Sequence, residues 1–141
     1  MRVYVDTSVL VAASTRELAT ERALAWLDQQ ALGSLLSSEW VVTEYSAALS
    51  IKLRTGAIDA SYRAEALARF RRLMMEAFEI TPVEAVHFRT AARFADDCAL
   101  GLRAGDALHL AIASEQGATI VTLDQRLAAA GSALGVVTRL L

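Results

Sequence analysis

Residues 2–11 read RVYVDTSVLV. Residues 2–5 are short, β-branched and aromatic, which predicts a strand. Residues 9–13 are apolar again and turn helical. Asp6, Thr7 and Ser8 are wedged between these two segments, both patterned for burial. A carboxylate there has two readings. Asp is a preferred helix cap, and a helix follows. Alternatively, Asp6 belongs to a site that other parts of the chain complete.

Working outward, further strands are expected at 34–37, 79–83, 118–123 (ATIVTL) and 136–139. Helices are expected at 17–30, 40–54, 60–78 (capped by Asp59), 84–100, 106–116 and 125–130, several of them closed by glycine. Strands separated by helices make βαβ units. The predicted fold class is therefore α/β: a twisted parallel β-sheet covered by helices on both faces (α/β/α). Pro82 is the only proline, and neither linker nor repeat is visible, so 1–141 reads as a single domain. In such sheets ligands sit beyond the carboxyl ends of the strands. Asp6 follows the first strand and Asp124 follows ATIVTL.

Composition narrows the function. At 55% apolar residues the chain is expected to fold, and no apolar run is long enough to span a bilayer. Asp6 interrupts any N-terminal leader-like stretch, so a cytoplasmic protein is expected. Cys98 is the only cysteine, which excludes an internal disulfide and a cysteine zinc site. His87 and His109 are too few for a histidine-rich metal centre. A net charge of −2 argues against nucleic-acid binding through basic charge alone, although a bound cation would reverse the local sign. Thirteen of the fourteen basic residues are Arg, the exception being Lys52; biased codon usage accounts for this as readily as phosphate binding does.

Four acids interrupt apolar surroundings. Asp6 ends VYVD, Glu44 lies in EWVVTEYSAAL, Asp106 opens GDALHLAIA, and Asp124 ends IVTLD. Singly, each has a plain reading as a cap, a first-turn acid or an exposed side chain. Jointly, two leave strand ends and two start helices, which lie at one sheet edge in a βαβ layout. Four carboxylates in one cleft repel, and a divalent cation removes that cost. Mg²⁺, with Mn²⁺ as substitute, prefers oxygen ligands and bridges to phosphate. Thr7 and Ser8 are placed to donate beside Asp6. Thr122 faces the same side of its strand as Asp124. Thr43 reads as a cap for the 40–54 helix, and Ser46 is ambiguous.

The blocks VYVDTSVLV, VVTEYSAAL, LRAGDALHLAIA and IVTLDQRLA, in this order, resemble the PIN-domain family, and within it the VapC toxins of toxin–antitoxin pairs. The resemblance runs from Arg2 to about Ala128. It implies a compact α/β domain and a metal-dependent endoribonuclease that cleaves RNA phosphodiester bonds with a metal-activated water. It puts the acidic cluster on Asp6, Glu44, Asp106 and Asp124, with Glu39 as an alternative to Glu44; Asp97, an acid at a helix end where the dipole disfavours it, is an outside candidate on its own account. It implies a homodimer, a type II toxin, and a VapB-like antitoxin whose C-terminal segment lies near the active site. The rival readings are a solitary RNA-processing nuclease, a non-catalytic PIN-like binding module, and a receiver-like phosphotransfer domain. The last of these wants a lysine near the site.

Other residues stay open between roles. His109, one turn from Asp106, reads as a satisfied core histidine or as an orienter of the cluster; His87 reads as surface. Arg103 pairs with an acid or meets RNA phosphate. Arg69, Arg71 and Arg72 form either a solvated face or an RNA-facing strip. Trp26, Trp40, Phe70, Met74 and Phe78 read mainly as core, and Met75 as a candidate groove residue for an antitoxin helix.

Overall fold

The computed structural model describes all residues, 1–141. Its elements run β1 (Val3–Val5), α1 (Thr7–Ser14), α2 (Thr20–Asp28), β2 (Leu35–Ser38), α3 (Glu39–Arg54), α4 (Ala60–Ala77), β3 (Phe78–Thr81), α5 (Ala85–Ala95), a 3₁₀ turn (Cys98–Leu100), α6 (Ala104–Glu115), β4 (Thr119–Thr122), α7 (Gln125–Ala133) and β5 (Thr138–Leu140). The α/β class and the five strands are those expected from the sequence, with ends moved by a few residues. One element differs. The helix expected over 84–100 stops at Ala95, and Asp97 caps the separate 3₁₀ turn by accepting the Ala99 N–H at 3.2 Å.

All strand pairs are parallel, in the order β3-β2-β1-β4-β5. The chain builds outward from β1 through β2 to β3, then returns to the other side of β1 with β4. The order therefore reverses between β1 and β4, and such a switch point opens a crevice beyond the strand ends. Asp6 and Asp124 follow the two strands that flank it.

Helices cover the sheet, and one apolar core contains Tyr4, Val5, Leu10, Leu36, Tyr45, Leu110, Ile112 and Ile120. Tyr45 stacks on Phe70 with ring centroids 3.8 Å apart, joining α3 to α4. Trp26 and Met74 are buried in the same core, whereas Met75 is 85% exposed and lines none of the larger cavities. No helix is long and apolar enough to cross a membrane.

Candidate active site

Asp6, Glu44, Asp106 and Asp124 line one cleft of about 490 Å³ at the switch point, together with Arg103 and Trp40. Each acid is delivered by a different piece of chain. Asp6 is the residue after β1 and the N-cap of α1. Asp124 follows β4 and caps α7, accepting the Arg126 and Leu127 N–H groups at 2.8 and 3.2 Å. Asp106 stands in the first turn of α6, and Glu44 lies in the second turn of α3. Asp6 and Asp124 thus realise the cap reading while also lining the cleft.

Three of the acids share a pattern: one oxygen is engaged and the other accepts no hydrogen bond. Asp6 Oδ2 accepts from Ser8 Oγ at 2.5 Å and Thr122 Oγ1 at 2.8 Å, leaving Oδ1 without a hydrogen bond. Glu44 Oε2 accepts from Thr7 Oγ1 at 2.7 Å and also meets His109 Nε2, leaving Oε1. Asp124 spends Oδ1 on the α7 cap. Asp106 Oδ2 is buried with no hydrogen-bond partner. Arg103 lies over the pair, with Nε 3.4 Å from Asp106 Oδ2 and Nη2 3.7 Å from Asp124 Oδ2. Its side chain is 71% exposed, so these contacts are screened. Of the two readings of Arg103, pairing with the acids is the one observed.

His109 lies beneath the cluster, 1% exposed. Its Nε2 meets Glu44 and sits 3.4 Å from Asp6 Oδ1, so that nitrogen carries a proton. Its Nδ1 lies 2.9 Å from the Tyr4 hydroxyl, which lies 2.7 Å from Ser38 Oγ. It is therefore both the buried histidine and the orienter that the sequence left as alternatives. Burial lowers its pKa, but the Glu44 bond and the charges of Asp6, Glu44 and Asp106 outweigh burial and raise it. Burial pushes the Tyr4 phenol up, so it stays protonated. Burial also works to raise Glu44, yet His109, Thr7 and Arg103 together hold it below the usual carboxylate range. Asp106 is raised, chiefly by burial and further by Asp124 and Asp6, against the pull of Arg103. The His109 contact thus favours the ionised form of Glu44, whereas burial and the neighbouring acids disfavour that of Asp106.

These residues fit a hard divalent cation. Asp106 Oδ2 is a buried acceptor with no hydrogen bond, faced by the exposed Arg103 Nε at 3.4 Å, and a divalent cation would complete it. Atoms of Asp6, Glu44 and His109 lie within 4.8 Å of one another, a group that Asp106 and Asp124 do not join. The free donors around the cleft are carboxylate oxygens, as Mg²⁺ and Mn²⁺ prefer. Gly105 also matters here, because a Cβ at this position would stand 2.8 Å from Glu44 Oε1.

Other expectations resolve differently. Glu39 is exposed and Asp97 caps the 3₁₀ turn, and neither lines the cleft. Thr43 caps nothing: its hydroxyl bonds back to the Glu39 carbonyl at 3.4 Å, and Ser46 is exposed. His87 is not a surface residue. It is 3% exposed, accepts the Glu84 N–H on Nδ1 at 2.9 Å and sets Nε2 against Glu115. It closes the start of α5 onto α6, far in the fold from the acids. Arg69 donates to the Ser14 carbonyl at 3.0 Å, while Arg71 and Arg72 are exposed.

The chain belongs to the PIN-domain family, whose model matches residues 3–132. No curated protein sequence matches it. Solved structures share the fold. FitAcB from Neisseria gonorrhoeae aligns with a TM-score of 0.75 at 20% identity, over 96% of this chain and 95% of that one. VapC20 from Mycobacterium tuberculosis, a sarcin-ricin loop cleaving toxin, aligns at 0.72 and 17%, over 96% of each chain. VapBC2 from Rickettsia felis, solved on a DNA fragment from its promoter, aligns at 0.68 and 14%, over 99% of this chain and 98% of that one.

Proposed function

We propose that this protein is a Mg²⁺-dependent endoribonuclease, with Mn²⁺ as substitute, and the toxin of a type II toxin–antitoxin pair. The observation that carries the reading is the single cleft that gathers four acids, each with an oxygen that accepts no hydrogen bond. Asp6, Glu44, Asp106 and Asp124 are the residues that would hold the ion. When bound, a divalent cation supplies Lewis acidity and counter-charge for phosphodiester hydrolysis. The chain supplies the rest. Ser8 and Thr122 fix Asp6, while Thr7 and His109 fix Glu44, so the free oxygens are ordered before substrate arrives. Arg103, exposed at the rim, is placed to meet a phosphate oxygen.

The toxin reading draws on the VapC and VapBC structures that share the fold. It carries with it a VapB-like antitoxin and a homodimer. Purified protein is expected to cleave RNA with Mg²⁺ or Mn²⁺ and to stop on adding EDTA. Asp106→Asn should abolish cleavage with the circular dichroism spectrum unchanged. Undiminished cleavage by that variant would remove the proposed site. Expression of the chain should arrest growth, and a co-transcribed antitoxin should relieve the arrest. Cleavage without arrest would instead mark a solitary RNA-processing nuclease.

A further inference from the structure

The acidic cleft does not end at its acids. It shares Thr7, Ser8, Ala48 and Ile51 with a neighbouring hollow of about 470 Å³. That hollow shares Lys52 with a third, of about 250 Å³, walled by Arg16 and Tyr62. One face of α3 floors the first two hollows and reaches the third at Lys52. Trp40, Glu44, Ala48 and Ile51 recur at helical spacing, and Lys52 stands one turn beyond Ala48. The alanines keep the floor low. Ile51 is 50% exposed, an apolar side chain presented midway along the trough, where Val11, Ala48 and Leu123 line the same hollow.

The far end is basic. Lys52 is the only lysine in the chain. Arg16 is exposed, pairs with no carboxylate, and holds its guanidinium 6.0 Å from the Tyr62 ring centroid. The acids nearby are accounted for. Asp59 caps α4 through the Tyr62 N–H at 2.7 Å. Glu17 pairs with Lys52 Nζ at 2.8 Å, with their side chains 34% and 24% exposed, so solvent reaches the pair. A phosphate oxygen could take the place of that carboxylate at the ammonium.

We propose that this trough binds a single-stranded RNA segment running from the acidic cleft to Lys52 and Arg16. Ile51 seats a base or ribose, and Lys52 and Arg16 hold a phosphate. Eight residues of α3 separate Glu44 from Lys52, about 12 Å of helix, or roughly three stacked nucleotides at about 3.4 Å each. Glu17 competes with that phosphate. The proposal rests on the ribonuclease reading for its ligand.

The test is fluorescence anisotropy of a labelled single-stranded RNA with the full chain in EDTA, over a salt series. Arg16→Ala combined with Lys52→Ala should raise Kd about tenfold and reduce the slope of log K against log salt by about 0.7, the contribution of the one single-strand phosphate they hold. Ile51→Ala should weaken binding with the slope unchanged. Glu17→Gln should tighten binding, which a structural defect would not do. Circular dichroism of each variant checks the fold. An unchanged Kd and slope in the double variant, or no gain with Glu17→Gln, overturns the path. Cleavage with Mg²⁺ by the same wild-type preparation tests the nuclease reading separately, so either can fail without the other.

Discussion

Strand β2 reads LLSS and is buried along its whole length, yet its two halves do opposite things. Leu35 and Leu36 join the apolar core, while Ser37 and Ser38 are equally buried and polar. The change repeats across the sheet. β1 runs from valine and tyrosine into Asp6, and β4 runs from Ile120 and Val121 into Thr122. Buried polar groups therefore collect at the carboxyl ends of the strands. Burying them is unfavourable without partners. Some are satisfied, as where Thr122 donates to Asp6 and Ser38 meets Tyr4. Ser37 Oγ and Asp106 Oδ2 are not. One end of the sheet supports stability through apolar packing, and the other gathers buried polar groups, some paired and some not, beside the acidic cleft.

Substitutions on the two sides should separate these roles. Leu36→Ala removes a fully buried side chain and should cost about 2–5 kcal/mol in urea unfolding, with cleavage per folded molecule unchanged. His109→Gln keeps a polar group beneath the acids but removes the charge shared by Glu44 and Asp6. Cleavage should fall about 10–100-fold, as when a partner that orients a metal ligand is lost, with the metal requirement retained. Asp106→Asn should act in the reverse sense on stability. Its carboxyl pKa is raised in the fold, so ionisation opposes folding. In EDTA at neutral pH the variant should be more stable than wild type, a gain that vanishes below the ordinary carboxylate pKa of about 4.

The smallest effect is a pH optimum in metal-free protein. The contribution of Glu44, whose pKa is lowered, is present above its unfolded value and is lost as pH falls through the folded one. The contribution of His109, whose pKa is raised, is full below its unfolded value and is lost as pH rises through the folded one. Unfolding free energy should therefore peak between about pH 4.5 and 6.5, with the alkaline limb flattened in His109→Gln.

Much of the frame was legible in the sequence because it is local. Alternation, helical spacing and glycine stops located the five strands and the helices, and acids that interrupt apolar runs located Asp6, Glu44, Asp106 and Asp124. What escaped is non-local. Glu44 and His109 meet across 65 residues of chain, and no periodicity encodes that contact. The available signal was His109 standing one turn from Asp106, on the same side of α6. His87 looked like a surface residue because its partner, Glu115, lies on another helix. The break between α5 and the 3₁₀ turn was marked by Asp96 and Asp97, acids at a helix end where the dipole disfavours them.

The central claim is that the free oxygens at the polar end of the sheet take a divalent cation. Calorimetric titration of Mn²⁺ into EDTA-stripped protein tests it most directly. Wild type should show saturable binding, and Asp106→Asn should bind at least about tenfold more weakly while remaining folded. Indistinguishable Mn²⁺ isotherms for the two proteins would contradict the account.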